Sequence, residues 1–205
     1  MQEQEKIRLK EIHTGNFSTL FKIYQADKPF YKSWYFVLSI VVSVIAVFVG
    51  HKYNVDFYST MNDHLYGIIF SIIPCLLGFN LGAFILIVGF AGSDVLKRIT
   101  KPLSSQKDYS FYQKLISVLG VSVFIQILTL IITFLFQLAS FLPSPNFFCF
   151  FSLINQIAFF LLAFLMLYSL SQLFVVIKHV FMFGQTIHFN VQFDAIKDNE
   201  RSDKG

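Results

Sequence analysis

Charged residues are scarce in this chain. Asp, Glu, Lys and Arg make up 14% of its 205 residues, whereas 55% are hydrophobic and the mean hydropathy is +0.62. Soluble domains usually carry about 25% charged residues, which cover their surface. The composition therefore excludes an ordinary water-soluble domain and predicts that lipid surrounds most of the chain.

The residues and motifs of common enzymes are also lacking. The two cysteines, Cys75 and Cys149, lie in separate apolar stretches without a metal-ligand or disulfide spacing. The five histidines are scattered, and no phosphate-binding loop, nucleophile elbow or HExxH motif occurs. We expect no secretory signal and no lipid anchor. The sequence predicts a protein that is not an enzyme, with no catalytic residue, no cofactor and no metal.

Long uncharged stretches are what the sequence has instead. Continuous apolar runs of this length predict α-helices rather than the alternating strands of a membrane barrel, and about 20 residues suffice to cross the hydrocarbon core. We therefore predict an all-α integral membrane protein, a bundle of four transmembrane helices. The predicted parts are a tail at 1–32, a membrane domain at 33–180 with spans at about 33–50, 65–93, 112–141 and 147–178, and a C-terminal segment at 181–205.

Basic residues are distributed unevenly between the connecting segments. All 16 Lys and Arg residues except Lys52 lie in the N-terminal tail, between the second span and the first residues of the third, or from the last residue of the fourth span onward. Short basic segments stay on the cytoplasmic side of a membrane. The pattern predicts that both termini are cytoplasmic.

Two segments outside the spans have their own periodicity. Phe17, Leu20, Phe21 and Tyr24 follow a helical spacing and predict a short amphipathic helix, which is either an interfacial anchor or a linker packed on the bundle.

A two-residue alternation near the C-terminus predicts a cytosolic β-strand at 186–194. One strand needs a partner, so its apolar side would dock a protein by strand addition; that side consists of Ile187, Phe189, Val191 and Phe193.

The second span has small residues along one side, and we call these residues the small-residue face. Small side chains let another helix approach closely in a membrane, so this face predicts helix packing or a homo-oligomer. Its members are Ser71, Cys75, Gly78, Gly82, Gly89 and Gly92.

The third span has polar residues at helical spacing, and we call these residues the polar seam. One interpretation is hydrogen bonding between helices inside the bundle, and the other is a water-filled path in an oligomer. Its members are Ser122, Gln126, Thr129, Thr133, Gln137 and Ser140. We expect the seam and the small-residue face to point inward, toward each other or toward other subunits. The phenylalanines of the fourth span would then face lipid, among them Phe159 and Phe164.

The plan of a basic tail, four spans, a basic inner loop and the glycine-rich segment from Pro74 to Phe84 resembles the membrane subunit of the Kiwa anti-phage defence system. The resemblance implies a homo-oligomer in the bacterial inner membrane, a tetramer for example. It also implies a cytosolic DNA-binding effector as partner, with no direct nucleic-acid contact by this chain. The residues themselves leave two functions open. The small-residue face, the uncharged spans and the alternating C-terminal segment favour a scaffold or sensor that recruits a soluble partner, and the polar seam favours a pore that depolarises the cell.

Overall fold

The computed structural model describes residues 16–26, 30–89, 109–141 and 148–202, and every regular element among them is helical. In chain order these elements are α1 (Phe17–Gln25), a 3-10 turn (Phe30–Lys32), α2 (Trp34–Lys52), α3 (Phe57–Thr60), a π-helical turn (Met61–Leu65), α4 (Tyr66–Gly89), α5 (Phe111–Ser140) and α6 (Phe148–Ser202).

Four helical stretches are long and apolar enough to cross a membrane. They are Trp34–Lys52, Phe57–Gly89, Phe111–Ser140 and Ser152–Phe189. The predicted all-helical fold with four such helices is confirmed. In the most apolar part of α2 and α4 only 17% of residues are buried, against 44% in α5 and 39% in α6. The described residues therefore leave most of the apolar surface of the first two helices uncovered.

Internal contacts group the described residues into two compact units. The larger unit takes its residues from 28–82 and 122–175, so it contains α2, α3 and parts of the three longer helices. The smaller unit takes its residues from 1–27, 83–121 and 176–205. Its buried residues include Ile23, Leu115 and Leu119.

The predicted amphipathic helix is present as α1 and belongs to the smaller unit. The Leu20 side chain lies against the backbone of Gly120 in α5, where a Cβ atom would come within 2.6 Å of Leu20 Cδ1. Ile23 is buried, whereas Phe17 is 70% exposed. Of the two predicted roles, the structure contains the packing contact.

The start of α5 is fixed by a reciprocal cap that the sequence analysis missed. The Gln113 N–H donates to Ser110 Oγ at 3.2 Å, and the Ser110 N–H donates to Gln113 Oε1 at 2.9 Å. Such a pair satisfies two N–H groups that the first turn of a helix leaves without acceptors. The Ser-x-x-Gln spacing was the signal that could have predicted it.

The helix that contains the predicted second span begins earlier than that span. We expected it to start at residue 65, but helical structure begins at Phe57 and continues through the π-helical turn into α4. The Asp56 carboxylate accepts a hydrogen bond from the Tyr58 N–H and caps this start. Met61 and Leu65 in the π-helical turn are buried in the same apolar cluster as Ile69. Their burial keeps Asp63 and the polar residues around it in a helix.

The prediction of a β-strand at 186–194 is wrong, because α6 continues through these residues as a helix to Ser202. A strand needs a neighbour, and none of the described residues forms one. A helix that has already started gains one hydrogen bond for each further residue without a new nucleation cost. Extending α6 through these residues is therefore more favourable than forming the strand that their local alternation predicts.

Phe159 and Phe164, which we expected on the lipid-facing surface, also make ring contacts within the chain. The Phe164 ring meets Phe36 of α2 edge to face at 5.4 Å between centroids, and the Phe159 ring lies 5.1 Å from that of Phe57. Aromatic pairs at such distances stabilise packing beyond the area that they bury. These rings hold α6 to α2 and α3 within the larger unit.

Gly50 allows Phe57 to pack at the end of α2, and this contact yields a test of the fold. A Cβ atom at residue 50 would lie 2.7 Å from Phe57 Cζ, so Gly50→Ala must push the ring out of its site. We expect a loss of about 1–3 kcal/mol of stability, measured as a lower unfolding temperature in mild detergent.

The matched control is Gly184→Ala, because a Cβ atom there meets nothing within 4 Å. Alanine is the better helix former by about 1 kcal/mol, so this variant should unfold at the same or a higher temperature. Equal effects of the two substitutions would contradict the packing of Phe57 on Gly50.

Candidate functional site

The polar seam of α5 is buried within the larger unit. Ser122, Gln126, Thr129 and Thr133 have no exposed surface. The last two members, Gln137 and Ser140, are partly exposed. The seam therefore points toward other helices of the same chain, as the first of its two interpretations requires.

Asn80 joins α4 to one end of the seam. Its Nδ2 donates to Ser122 Oγ at 2.8 Å, and neither residue has exposed surface. A buried amide or hydroxyl without a partner costs about 1–3 kcal/mol, so each of these groups depends on the other. The amide that the sequence placed in an apolar helix thus has a specific partner on α5.

Thr129 joins α5 to α6 through Ser169, with 3.0 Å between the two hydroxyl oxygens. Thr129 Oγ1 already donates its proton to the carbonyl of Ile125 at 2.8 Å. A hydroxyl has one proton, so Thr129 serves one of these two acceptors at a time, and Ser169 is the donor whenever the bond to Ile125 is made. In either direction the two hydroxyls form one hydrogen bond between α5 and α6.

Two serines of α2 that the sequence analysis did not single out also face α6. Ser39 and Ser43 are buried, and Ser39 Oγ lies 3.4 Å from Ser171 Oγ. Both of these hydroxyls donate to backbone carbonyls one turn earlier in their own helices, Ser39 to Tyr35 and Ser171 to Leu167. No proton remains for a bond between them, so the contact is close packing of small residues. Their four-residue spacing was the available signal.

Gln126 is the exception in the seam. Its side chain has no exposed surface, and neither Oε1 nor Nε2 has a hydrogen-bond partner. The Oδ1 atom of Asn80, which lies on the neighbouring helix, is in the same situation. Buried water commonly satisfies such groups. This part of the seam is therefore a place in the larger unit where a bound water or another polar molecule would be stabilised.

The far end of the seam is tied to the segment before α4. Ser140 Oγ is 3.0 Å from Asn62 Oδ1, and the Tyr58 hydroxyl donates to the Ser140 carbonyl at 2.9 Å. Both contacts are exposed. They close the C-terminal end of α5 against α3 and the π-helical turn.

The small-residue face points the other way. Ser71, Cys75, Gly78, Gly82 and Gly89 are exposed, and a Cβ atom on any of the three glycines would meet nothing within 4 Å. Gly92 lies outside the described residues. The first alternative for this face, contact with the polar seam, is wrong, and the second alternative, contact with other subunits, stays a prediction. Within the described part of the chain, no helix uses the close approach that these residues permit.

Two of the four predicted docking residues, Ile187 and Phe189, do not share a face. They are two residues apart, which is about 200° around a helix, so they lie on opposite sides of α6. Phe189 is exposed and Ile187 is partly buried. The side chains of Val191 and Phe193 lie outside the described residues. A helical segment cannot add a strand to a partner's sheet, so the prediction that this segment docks by strand addition is wrong.

Chemistry at the seam is restricted to hydrogen bonding. It consists of hydroxyl and amide groups, and no three His, Cys, Asp or Glu residues of the described ranges come together as a metal site.

The fold and the seam define an all-helical chain with four helices apolar enough to span a membrane, joined by uncharged polar contacts. Comparisons with protein-family models, with curated proteins and with solved structures find no match.

Two substitutions in the seam should act in opposite directions. Ser122→Ala removes the acceptor of Asn80 and should lower stability by about 1 kcal/mol, measured by thermal unfolding in detergent. Gln126→Leu removes two buried polar atoms that have no partner and should leave stability unchanged or raise it. A marked destabilisation by Gln126→Leu would show that the amide is satisfied in the folded protein.

Proposed function

We propose that this chain is a multi-pass membrane protein that assembles with copies of itself through the small-residue face and acts as a non-enzymatic scaffold for a cytosolic partner. The observation that carries the proposal is the exposure of Gly78, Gly82 and Gly89, where no described residue outside the adjacent turns of α4 lies within 4 Å of an added Cβ atom.

Composition and charge support the membrane setting. The four apolar helices match the length that a bilayer requires. The Lys and Arg residues, Lys52 excepted, lie in segments that the positive-inside rule assigns to one side, so we place both termini in the cytoplasm.

Self-assembly is favoured by the exposed glycines of α4. In lipid the burial of apolar surface does not drive helix association, and close packing of small residues takes its place. Glycines that face away from their own chain provide such a surface for another copy. Asn80 is committed to Ser122 on the opposite side, so the association would depend on backbone approach alone.

The C-terminal part of α6 is the natural site for a soluble partner. From Lys178 onward the helix carries all of its charged residues, and the stretch to Ser202 is about 37 Å long at the usual rise. The helix would present its exposed residues to a partner's groove. The resemblance to the Kiwa membrane subunit adds a DNA-binding effector, a bacterial inner-membrane location and an anti-phage role to this proposal.

The first experiment is affinity purification of the tagged protein from its host membrane in mild detergent, followed by mass determination. We expect an oligomer with a soluble protein bound. Gly82→Leu should reduce the oligomer, because a large side chain separates the helices. Deletion of 186–205 should remove the soluble protein and leave the oligomer intact.

Val88→Leu is the matched control for Gly82→Leu, because it enlarges an exposed residue of α4 outside the small-residue face. It should not change the mass of the complex. An oligomer that survives Gly82→Leu would contradict the assembly through this face.

A pore is the second candidate function, and Gln126 favours it. Its unpartnered amide inside the seam would suit a path that holds water. The walls would be hydroxyls and amides, so the path would discriminate poorly between ions.

Conductance of the purified protein in planar bilayers tests the pore. If the seam conducts, Gln126→Leu should abolish most of the current while Val88→Leu, at an exposed residue of α4 outside the small-residue face, leaves it unchanged. An oligomer without a soluble partner and with a Gln126-dependent current would favour the pore over the scaffold.

A further inference from the structure

A groove in the larger unit runs between α2 and α6. Its volume is about 420 Å³, which lies within the range of about 300–1,000 Å³ that is usual for ligand sites. Val44 and Phe48 line it from α2, and Ile157 and Phe160 line it from α6. The lining residues of each helix are one turn apart, so the groove is elongated along the helix axes.

The groove is polar only at one end. There His51 and Gln156 face each other, with 3.4 Å between the His51 Nδ1 and Gln156 Nε2 atoms. His51 lies in the last turn of α2, followed by the exposed Lys52. The other end is lined by Val44 and Phe160, about two turns away along α2.

The groove is open at its side. Phe48 is 69% exposed, and Leu153 and Ile157 are each more than half exposed. An apolar chain could therefore enter from the surrounding hydrocarbon without passing through the protein.

We propose that this groove binds one acyl chain of a phospholipid whose phosphate group lies at His51, Lys52 and Gln156. The apolar part of the groove lies within stretches that would cross a membrane, and its polar end lies where α2 leaves that stretch. Lys52 is the one Lys or Arg of the segment between the first two spans, and it complements a negative phosphate. This inference rests on the proposed membrane setting and not on the scaffold role.

Quenching of tryptophan fluorescence by brominated phospholipids tests the site. The chain has a single tryptophan, Trp34, so Trp34→Phe gives a protein without tryptophan fluorescence, into which each reporter is introduced. Phe160→Trp places the reporter in the groove. Ile45→Trp is the matched control, because Ile45 lies next to Val44 in α2, is 54% exposed and does not line the groove.

Both reporters are titrated with brominated phospholipid in detergent micelles and then measured in vesicles made entirely of that lipid. We expect half-maximal quenching in the groove at a mole fraction about fivefold lower than at the control position, which corresponds to roughly 1 kcal/mol. Replacing the polar end through His51→Leu and Gln156→Leu should bring the two curves together.

Each other outcome has a distinct meaning. If the quenching curves of the two reporters coincide while His51 and Gln156 are intact, the proposed lipid site is wrong. If the groove reporter is still quenched at the lower mole fraction after His51→Leu and Gln156→Leu, the proposed role of these two residues is wrong. A groove reporter shielded in vesicles while the control is quenched would mean that a second copy of the chain covers the groove. If vesicle lipid quenches neither reporter, the membrane setting itself fails.

Discussion

Hydrogen bonds along the polar seam of α5 are the constraint on which the larger unit depends. Helices that are apolar on all sides have no preferred contact face in lipid, because exchanging one apolar neighbour for another changes little. The Asn80 amide and the Ser169 hydroxyl remove that freedom, since each has its partner at one position of α5. The seam therefore selects which helices meet and in which register, and the aromatic contacts of α6 then fill the space.

This constraint also determines what the chain exposes. Asn80 lies two residues from Gly78 and two from Gly82, about 200° away around the same helix. Once Asn80 is bonded to α5, the glycines have to point away from it. The rotation of α4 about its own axis thus decides two things at once. It places Asn80 against its own chain, and it leaves the glycines open to another chain.

Sequence patterns predicted the long elements well and the ends poorly. Uncharged stretches of 20 or more residues leave no alternative to helices in lipid, and the spacing of Ser122, Gln126 and Thr129 identified the buried side of α5. The outward direction of the small-residue face could have been derived from Asn80. The helical state of 187–193 could not be derived locally, because it depends on the helix that precedes it. The Phe159 contact likewise depends on Phe57, which is far away in sequence.

The chemical nature of the seam has a consequence for the conditions under which the fold holds. Serine, threonine, asparagine and glutamine side chains neither gain nor lose protons in the physiological range, and neutral dipoles are hardly screened by salt. The contacts that set the helix register therefore change little in strength with pH in the physiological range and with ionic strength. A response of the protein to such changes begins at titratable or charged residues outside the seam.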